Sequence, residues 1–191
     1  DQESKVVALS GKWGTGKSYL WRQVKEASKD KKIKAALYVS LFGLSSIEQV
    51  KLKIVQSAIP SADQHPTWWD NAKKSWAAAS KVLESVHKGF SALNEIALLA
   101  VPSILKDRVI VIDDIERKHQ KLSVDEVLGF VDEFTQQHGA RVILILNSDE
   151  LSDPDLWNTF REKVIDREIR LDTSPAEAFR SEEHTSELQS H

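Results

Sequence analysis

Two glycines and a Lys-Ser pair set the chemistry. Gly11-Lys-Trp-Gly-Thr-Gly16-Lys17-Ser18 carries the spacing G-x-x-x-x-G-K-[ST] in full. Glycines allow positive φ and leave the backbone bare, so successive N–H groups can point into one concavity. A helix following that loop adds unpaired donors and the positive end of its dipole, which favours phosphate. The spacing therefore makes Gly11, Trp13, Gly14, Thr15, Gly16, Lys17 and Ser18 a candidate nucleotide-binding segment. Lys17 is expected to reach the β- and γ-phosphates as a point charge, and Ser18 to place its hydroxyl on Mg²⁺. Trp13 is a bulky residue in a loop of small ones, and the sequence assigns it no role beyond stacking or shielding.

A phosphate loop of this type needs a carboxylate partner for the metal. Asp113 follows the apolar run Arg108 to Ile112 (RVIVI), at the end of a strand where open α/β sheets place ligands. That is the Walker B pattern, and Asp113 is expected to hold Mg²⁺ through water. Asp114 follows, and alternation of side chains makes it the first candidate to orient or deprotonate the attacking water. Glu116 competes for that role, and either residue could instead pair with Arg117. Asn147 ends another apolar run, RVILIL, and suits a γ-phosphate or water sensor; the plainer alternative is a turn-forming asparagine before Ser148-Asp149.

These points need a scaffold, and the hydrophobic pattern supplies one. Apolar runs at Lys5 to Leu9, Lys34 to Leu41, Arg108 to Ile112, Arg141 to Leu146 and Arg167 to Leu171 read as five strands. Ser10-Gly11 reads as the turn after the first. Helical composition runs from Ser18 to Ser28, from a Ser45 or Ser46 cap to Ala58, and over Pro154 to Val164. Ser123-Val-Asp-Glu126 is a capping box opening a helix to Gln137, with Val124, Val127, Leu128, Val131 and Phe134 on one face and Gly139 beyond its end. Strands alternating with helices imply an α/β fold, a parallel sheet covered on both faces.

Residues 67–105 break the alternation. Trp69, Ala72, Trp76, Ala79, Leu83, Val86 and Phe90 recur at three-four spacing, so a helical insertion with one apolar seam is expected between the second and third strands. Its uninterrupted apolar run, Ile96 to Val101, falls far short of the roughly 20 residues a membrane span requires. The stretch Arg180 to Ser190 has almost no apolar content and resembles a translated sequencing adapter, so residues 180–191 are expected to be a disordered tail and residues 1–179 the domain. With no methionine in the chain, Asp1 is expected to be an internal position of a longer protein.

GKWGTGKS, the following YVSLFGLSS and VIVIDDIER together resemble the KAP family of P-loop NTPases, over about residues 5–172. That family shows G-x-W-G-x-G-K-[ST] and a DDLDR-like segment; Ile115 and Glu116 here stand where Leu and Asp are usual. The resemblance implies a three-layer P-loop core of the additional-strand type, with strand order 5-1-4-3-2. It implies ATP and Mg²⁺, with Asp113 and Asp114 in the Walker B roles and Arg117 at the closing arginine. It implies a helical lid, with Pro175 to Phe179 as its start, and often a neighbour's arginine. A homo-oligomer or an effector domain belongs to the same expectation. Many members carry membrane helices between the two Walker motifs; the insertion here is too short and polar for that, so the expected setting is cytoplasmic, with membrane association left to the longer protein.

Composition sharpens the reading. With 41% hydrophobic and 29% charged residues, the chain is neither collagen-like nor wholly disordered. Without cysteine, disulfide and thiolate chemistry are excluded. A net charge of −3 offers no basic field for nucleic acid; the cluster Lys29 to Lys34 (KDKKIK) is read as a solvated loop before a strand. The expected function is Mg-dependent ATP binding with hydrolysis, used as a signalling or defence switch. The alternatives are a nucleotide-binding scaffold that does not hydrolyse, suggested by an aspartate where a longer carboxylate would serve, and a small-molecule P-loop kinase, which would need a more arginine-rich lid.

Overall fold

The computed structural model of the chain describes residues 4–58, 98–99, 101–150 and 154–172. Five short apolar segments assemble into one parallel sheet. They are β1 (Val6–Gly11), β2 (Leu37–Ser40), β3 (Val109–Asp113), β4 (Arg141–Leu146) and β5 (Arg167–Leu171). The order across the sheet is β2-β3-β4-β1-β5, which is the expected 5-1-4-3-2 read from the other edge. All four pairings are parallel.

Burial follows position in the sheet. Every residue of β3 is buried, as a central strand covered on both faces must be. The edge strand β5 has none buried, and Ile169 on it is exposed. Side chains of period two then divide the core between the faces. Val6, Ala8, Ile110, Ile112, Val142, Leu144 and Leu146 pack on one side, with residues of α3 (Ile47–Ala58) and α4 (Val124–Gln137). Leu9, Val109, Val111 and Ile145 pack on the other, with Trp21 of α1 (Lys17–Ala27). Helices on opposite faces of a parallel sheet make the three layers.

Helix α4 shows how the local sequence builds its part. The Ser123 side chain accepts from Glu126 N while the Glu126 carboxylate accepts from Ser123 N, so the capping box is complete. Val127, Phe130, Val131 and Phe134 then fall on the buried face, with Val124 and Leu128 partly buried beside them. Burying a side chain such as Phe134 contributes about 1.5–3 kcal/mol relative to leaving it exposed. A further helix, α5 (Pro154–Lys163), precedes β5.

Three expectations change. Ser10 and Gly11 are strand residues, not a turn: Ser10 pairs with β4 and β5 at once and Gly11 with Leu171, which holds them extended. The second strand is shorter than the apolar run and begins at Leu37. Ahead of it, Lys31–Lys34 forms a one-turn helix, α2, where a loop was expected. The Asp30 carboxylate accepts from Lys32 N and caps that turn, which propensity averaged over a run of lysines does not disclose. The lysines themselves are exposed, as a solvated cluster should be.

Of the expected insertion at 67–105, residues 98–99 and 101–105 are described; they are helical, and Val101 and Leu105 are fully buried in the core. The seam from Trp69 to Phe90, the segment Pro175 to Phe179 and the tail at 180–191 lie outside the described residues. Among the described residues no helix is long and apolar enough to cross a membrane.

Candidate phosphate-binding and carboxylate site

The site grows from the C-terminal ends of β1, β3 and β2. Where β1 ends, the chain cannot carry a side chain: a Cβ on Gly11 would collide with the Leu171 carbonyl oxygen of β5. The loop then closes on itself. Lys12 O accepts from Thr15 N at 3.4 Å and from Thr15 Oγ1 at 2.9 Å. Gly16 stands at φ 81°, a left-handed conformation that sets the axis of α1 and that L side chains resist.

Lys17 is the first residue of α1 and is buried. Its Nζ donates to Gly11 O and to Lys12 O, each at 2.7 Å. Burial lowers the pKa of this ammonium; the carboxylates of Glu116, then Asp113, then Asp114 oppose the shift. A buried cation facing three carboxylates is poised to exchange its carbonyl contacts for a polyanion, because phosphate oxygens supply the charge that carbonyls lack.

Ser18 joins the phosphate loop to β3. Its Oγ donates to Asp113 Oδ2 at 2.8 Å. Asp113 is buried at the end of β3, and its Oδ1 accepts from Asp114 N at 2.8 Å. Two oxygen donors from different elements, converging within one hydrogen-bond length, suit a hard cation such as Mg²⁺, so the residues fit the metal that the motif implies. Among the described residues there is no cluster of three or more His, Asp and Glu that would hold a metal by protein ligands alone.

The structure adds two residues that sequence reasoning did not single out. Tyr38 OH donates to Asp113 Oδ2 at 2.5 Å, and Ser40 Oγ donates to Asp114 Oδ2 at 2.6 Å. Both sit on β2, two residues apart and so on one face, and β2 pairs with β3 with Ser40 opposite Asp113. Burial, together with the bond to Asp113, raises the Tyr38 pKa well above 10. The signal was present: polar side chains on one face near the end of a strand, beside an aspartate-bearing strand. It requires knowing that β2 is the neighbour of β3.

Alternation stops at Asp113. Asp114 adopts φ 59°, and Ile115–Arg117 forms a single 3₁₀ turn. That geometry decides what each carboxylate does. Asp114 Oδ2 takes the Ser40 hydroxyl, and Oδ1 lies 3.4 Å from Arg117 Nη1. Arg117 is thus a structural ion pair, and its guanidinium also lies 4.1 Å over the ring of Phe42. The turn brings Glu116 back over the phosphate loop, where Glu116 Oε1 accepts from Trp13 Nε1 at 3.1 Å. Glu116 Oε2 is buried with no partner. Asn147 is buried at the end of β4, and its side-chain oxygen accepts from Asp149 N at 3.2 Å, the contact of a turn-forming asparagine.

Comparison with known proteins bears on the fold. Residues 1–68 match the family model described as KAP family P-loop domain. No curated protein sequence matches the chain. Among solved structures, the chain resembles the ORC2 protein of Aeropyrum pernix in its ADP form, at TM-score 0.53 and 15% identity, over 97% of this chain and 47% of that one. The same protein in its ADPNP–ADP complexes gives TM-score 0.53 and 14% identity, over 97% and 46%. Cdc6p from Pyrobaculum aerophilum gives TM-score 0.48 at 22% identity, over 87% and 38%. The chain therefore spans a little under half the length of the ORC2 chains, and at these identities the likeness is one of fold. The sheet order, the phosphate loop, the family-model match and the likeness to ORC2 show a P-loop NTPase fold, in a chain whose first 68 residues match the KAP family P-loop domain.

Proposed function

We propose that the chain binds ATP with Mg²⁺ and hydrolyses it slowly, within a core formed by residues 1–179. The observation that carries the reading is the Ser18–Asp113 contact at the mouth of a Gly11-to-Ser18 phosphate loop. The nucleotides in the ORC2 structures, ADP and ADPNP, support the same class of ligand on a similar fold. Gly11, Gly14, Thr15 and Gly16 would present backbone donors to the phosphates, and Lys17 would neutralise the β- and γ-phosphates. Ser18 and Asp113 would hold Mg²⁺, which when bound draws charge from the phosphate oxygens. Tyr38 would orient Asp113 through its hydroxyl, which burial and the bond to Asp113 keep protonated into the alkaline range.

Hydrolysis needs a proton acceptor for water. Asp114 was the first candidate, but both of its oxygens are engaged, by Ser40 and Arg117. Glu116 keeps one buried oxygen without a partner. We therefore place the acceptor at Glu116 and give Asp114 the task of holding the turn that presents it. Asn147 would add an amide donor beside the site. A switch in signalling or defence, working through an oligomer or an effector domain, is the biological setting we favour, as the resemblance to the KAP family implies. Phosphate release measured on wild type and Glu116→Gln tests the reaction. Equal and negligible release by both, with Mg-ATP still bound, would favour the non-hydrolysing scaffold instead.

A further inference from the structure

We infer that Trp13 is a positioning residue: its indole N–H ties Glu116 to the phosphate loop and so holds in place the carboxylate that would take the proton of the attacking water. The inference rests on the proposed hydrolysis and deepens it. It gives a task to a bulky loop residue that the phosphate chemistry does not require.

Four observations carry it. First, Trp13 lies in the turn of the loop and is 61% exposed. Core burial therefore does not explain a residue of this size at this position. Second, its single polar group is used, and used on Glu116 Oε1, 103 residues away in sequence. An indole N–H can only donate, so it selects an acceptor. Third, the other oxygen of the same carboxylate is buried without a partner. Leaving a buried acceptor unpaired is costly, and native structures keep such groups chiefly where something else is to be bound. Fourth, Asp114 has no such oxygen, because Ser40 and Arg117 take both. The electrostatics agree in direction: of the three carboxylates acting on Lys17, Glu116 acts most strongly, which places its charge beside the cation that would meet the γ-phosphate.

The two ends of the contact belong to the two halves of the site. Trp13 moves with the loop that receives the phosphates, and Glu116 follows the strand that carries Asp113. A hydrogen bond between them fixes the distance from acceptor to phosphorus from the phosphate side. In the step itself, a water O–H bond breaks and its proton goes to Glu116 Oε2. The water oxygen forms a bond to the γ-phosphorus as the bond from that phosphorus to the bridging oxygen breaks. ADP leaves with that electron pair, and the proton on Glu116 returns to solvent with phosphate. Trp13 touches no reacting atom; it acts through Glu116.

The test is a double-mutant cycle on the 191-residue chain with Trp13→Phe and Glu116→Gln, read by single-turnover phosphate release and by Mg-ATP affinity. Trp13→Phe keeps a ring and loses the donor. It should slow release about tenfold, the scale of one hydrogen bond to a charged group, while leaving KM and affinity within about twofold. In the Glu116→Gln background it should add little, because the two act as a unit. A second readout needs no turnover. The ¹H–¹⁵N cross-peak of the Trp13 indole, identified by its loss in Trp13→Phe, should shift in Glu116→Ala and should respond to Mg-ADPNP. Release unchanged in Trp13→Phe but lost in Glu116→Gln would overturn the inference and leave the proposed reaction standing. Release unchanged in Glu116→Gln, or absent in wild type, would overturn the reaction and the inference with it. A weakened KM with unchanged kcat in Trp13→Phe, or an indole cross-peak indifferent to Glu116→Ala, would also overturn the inference.

Discussion

Ser18 Oγ and Asp113 Oδ2 lie 2.8 Å apart although 95 residues separate them in the chain. One lies in the first turn of the helix after β1 and the other ends β3, and β4 lies between those strands. The contact therefore exists only if the sheet order and the register are both right. It is the point at which fold becomes chemistry.

Removing either oxygen should separate nucleotide binding from its metal dependence. Ser18→Ala and Asp113→Asn are each expected to weaken Mg-ATP binding about tenfold or more, about 1.4 kcal/mol per tenfold. Their affinity for nucleotide in EDTA should change little. Titration calorimetry with and without Mg²⁺ reads the difference, and equal losses in both conditions would count against the metal role.

Two groups should imprint opposite slopes on stability at alkaline pH. Lys17 has a pKa lowered by burial, so between that lowered value and 10.5 the unfolded chain binds more protons and stability rises with pH. Tyr38 has a pKa raised above 10, so its contribution is present below pH 10 and is lost as pH climbs beyond it. Urea unfolding across the alkaline range should show a flatter rise in Lys17→Met and a flatter fall in Tyr38→Phe. Identical profiles for the wild type and both variants would refute the assignment.

Gly11 is confined by backbone rather than by a flexible side chain. Gly11→Ala should force β1 and β5 apart near Leu171 and cost about 1–3 kcal/mol. The same displacement should weaken nucleotide binding, because the loop begins there. A denaturant midpoint equal to that of wild type would contradict the close approach.

Stability can be lowered without touching the site. Ser123→Ala should cost about 1 kcal/mol by removing the cap of α4. Phe134→Ala should cost about 3–5 kcal/mol by opening a cavity in the larger core cluster. Neither residue contacts the phosphate loop, so Mg-ATP affinity measured below the unfolding transition should stay near wild type.

Much of this was legible in the sequence, and for local reasons. The phosphate loop, the capping box at Ser123 and the apolar runs of β3 and β4 are short-range patterns, and each element formed where its pattern stood. What stayed hidden depends on neighbours. Tyr38 and Ser40 became visible only when β2 was placed against β3. The proposed preference for Glu116 over Asp114 starts from one left-handed residue, φ 59° at Asp114, which ends strand alternation sooner than the pattern implies. Ser10 and Gly11 looked like a turn because two strands, distant in sequence, are what hold them extended. The one-turn helix at Lys31–Lys34 was missed because a single cap at Asp30 outweighed the character of a charged run.

The central claim is that the Gly11-to-Ser18 loop is a working phosphate site. Titration calorimetry of the purified chain with Mg-ATP, beside Lys17→Ala, tests it most directly. The wild type should bind saturably at one site, and Lys17→Ala should lose at least about tenfold in affinity, near 1.4 kcal/mol. No binding by the folded wild type, or the same affinity in Lys17→Ala, would contradict it.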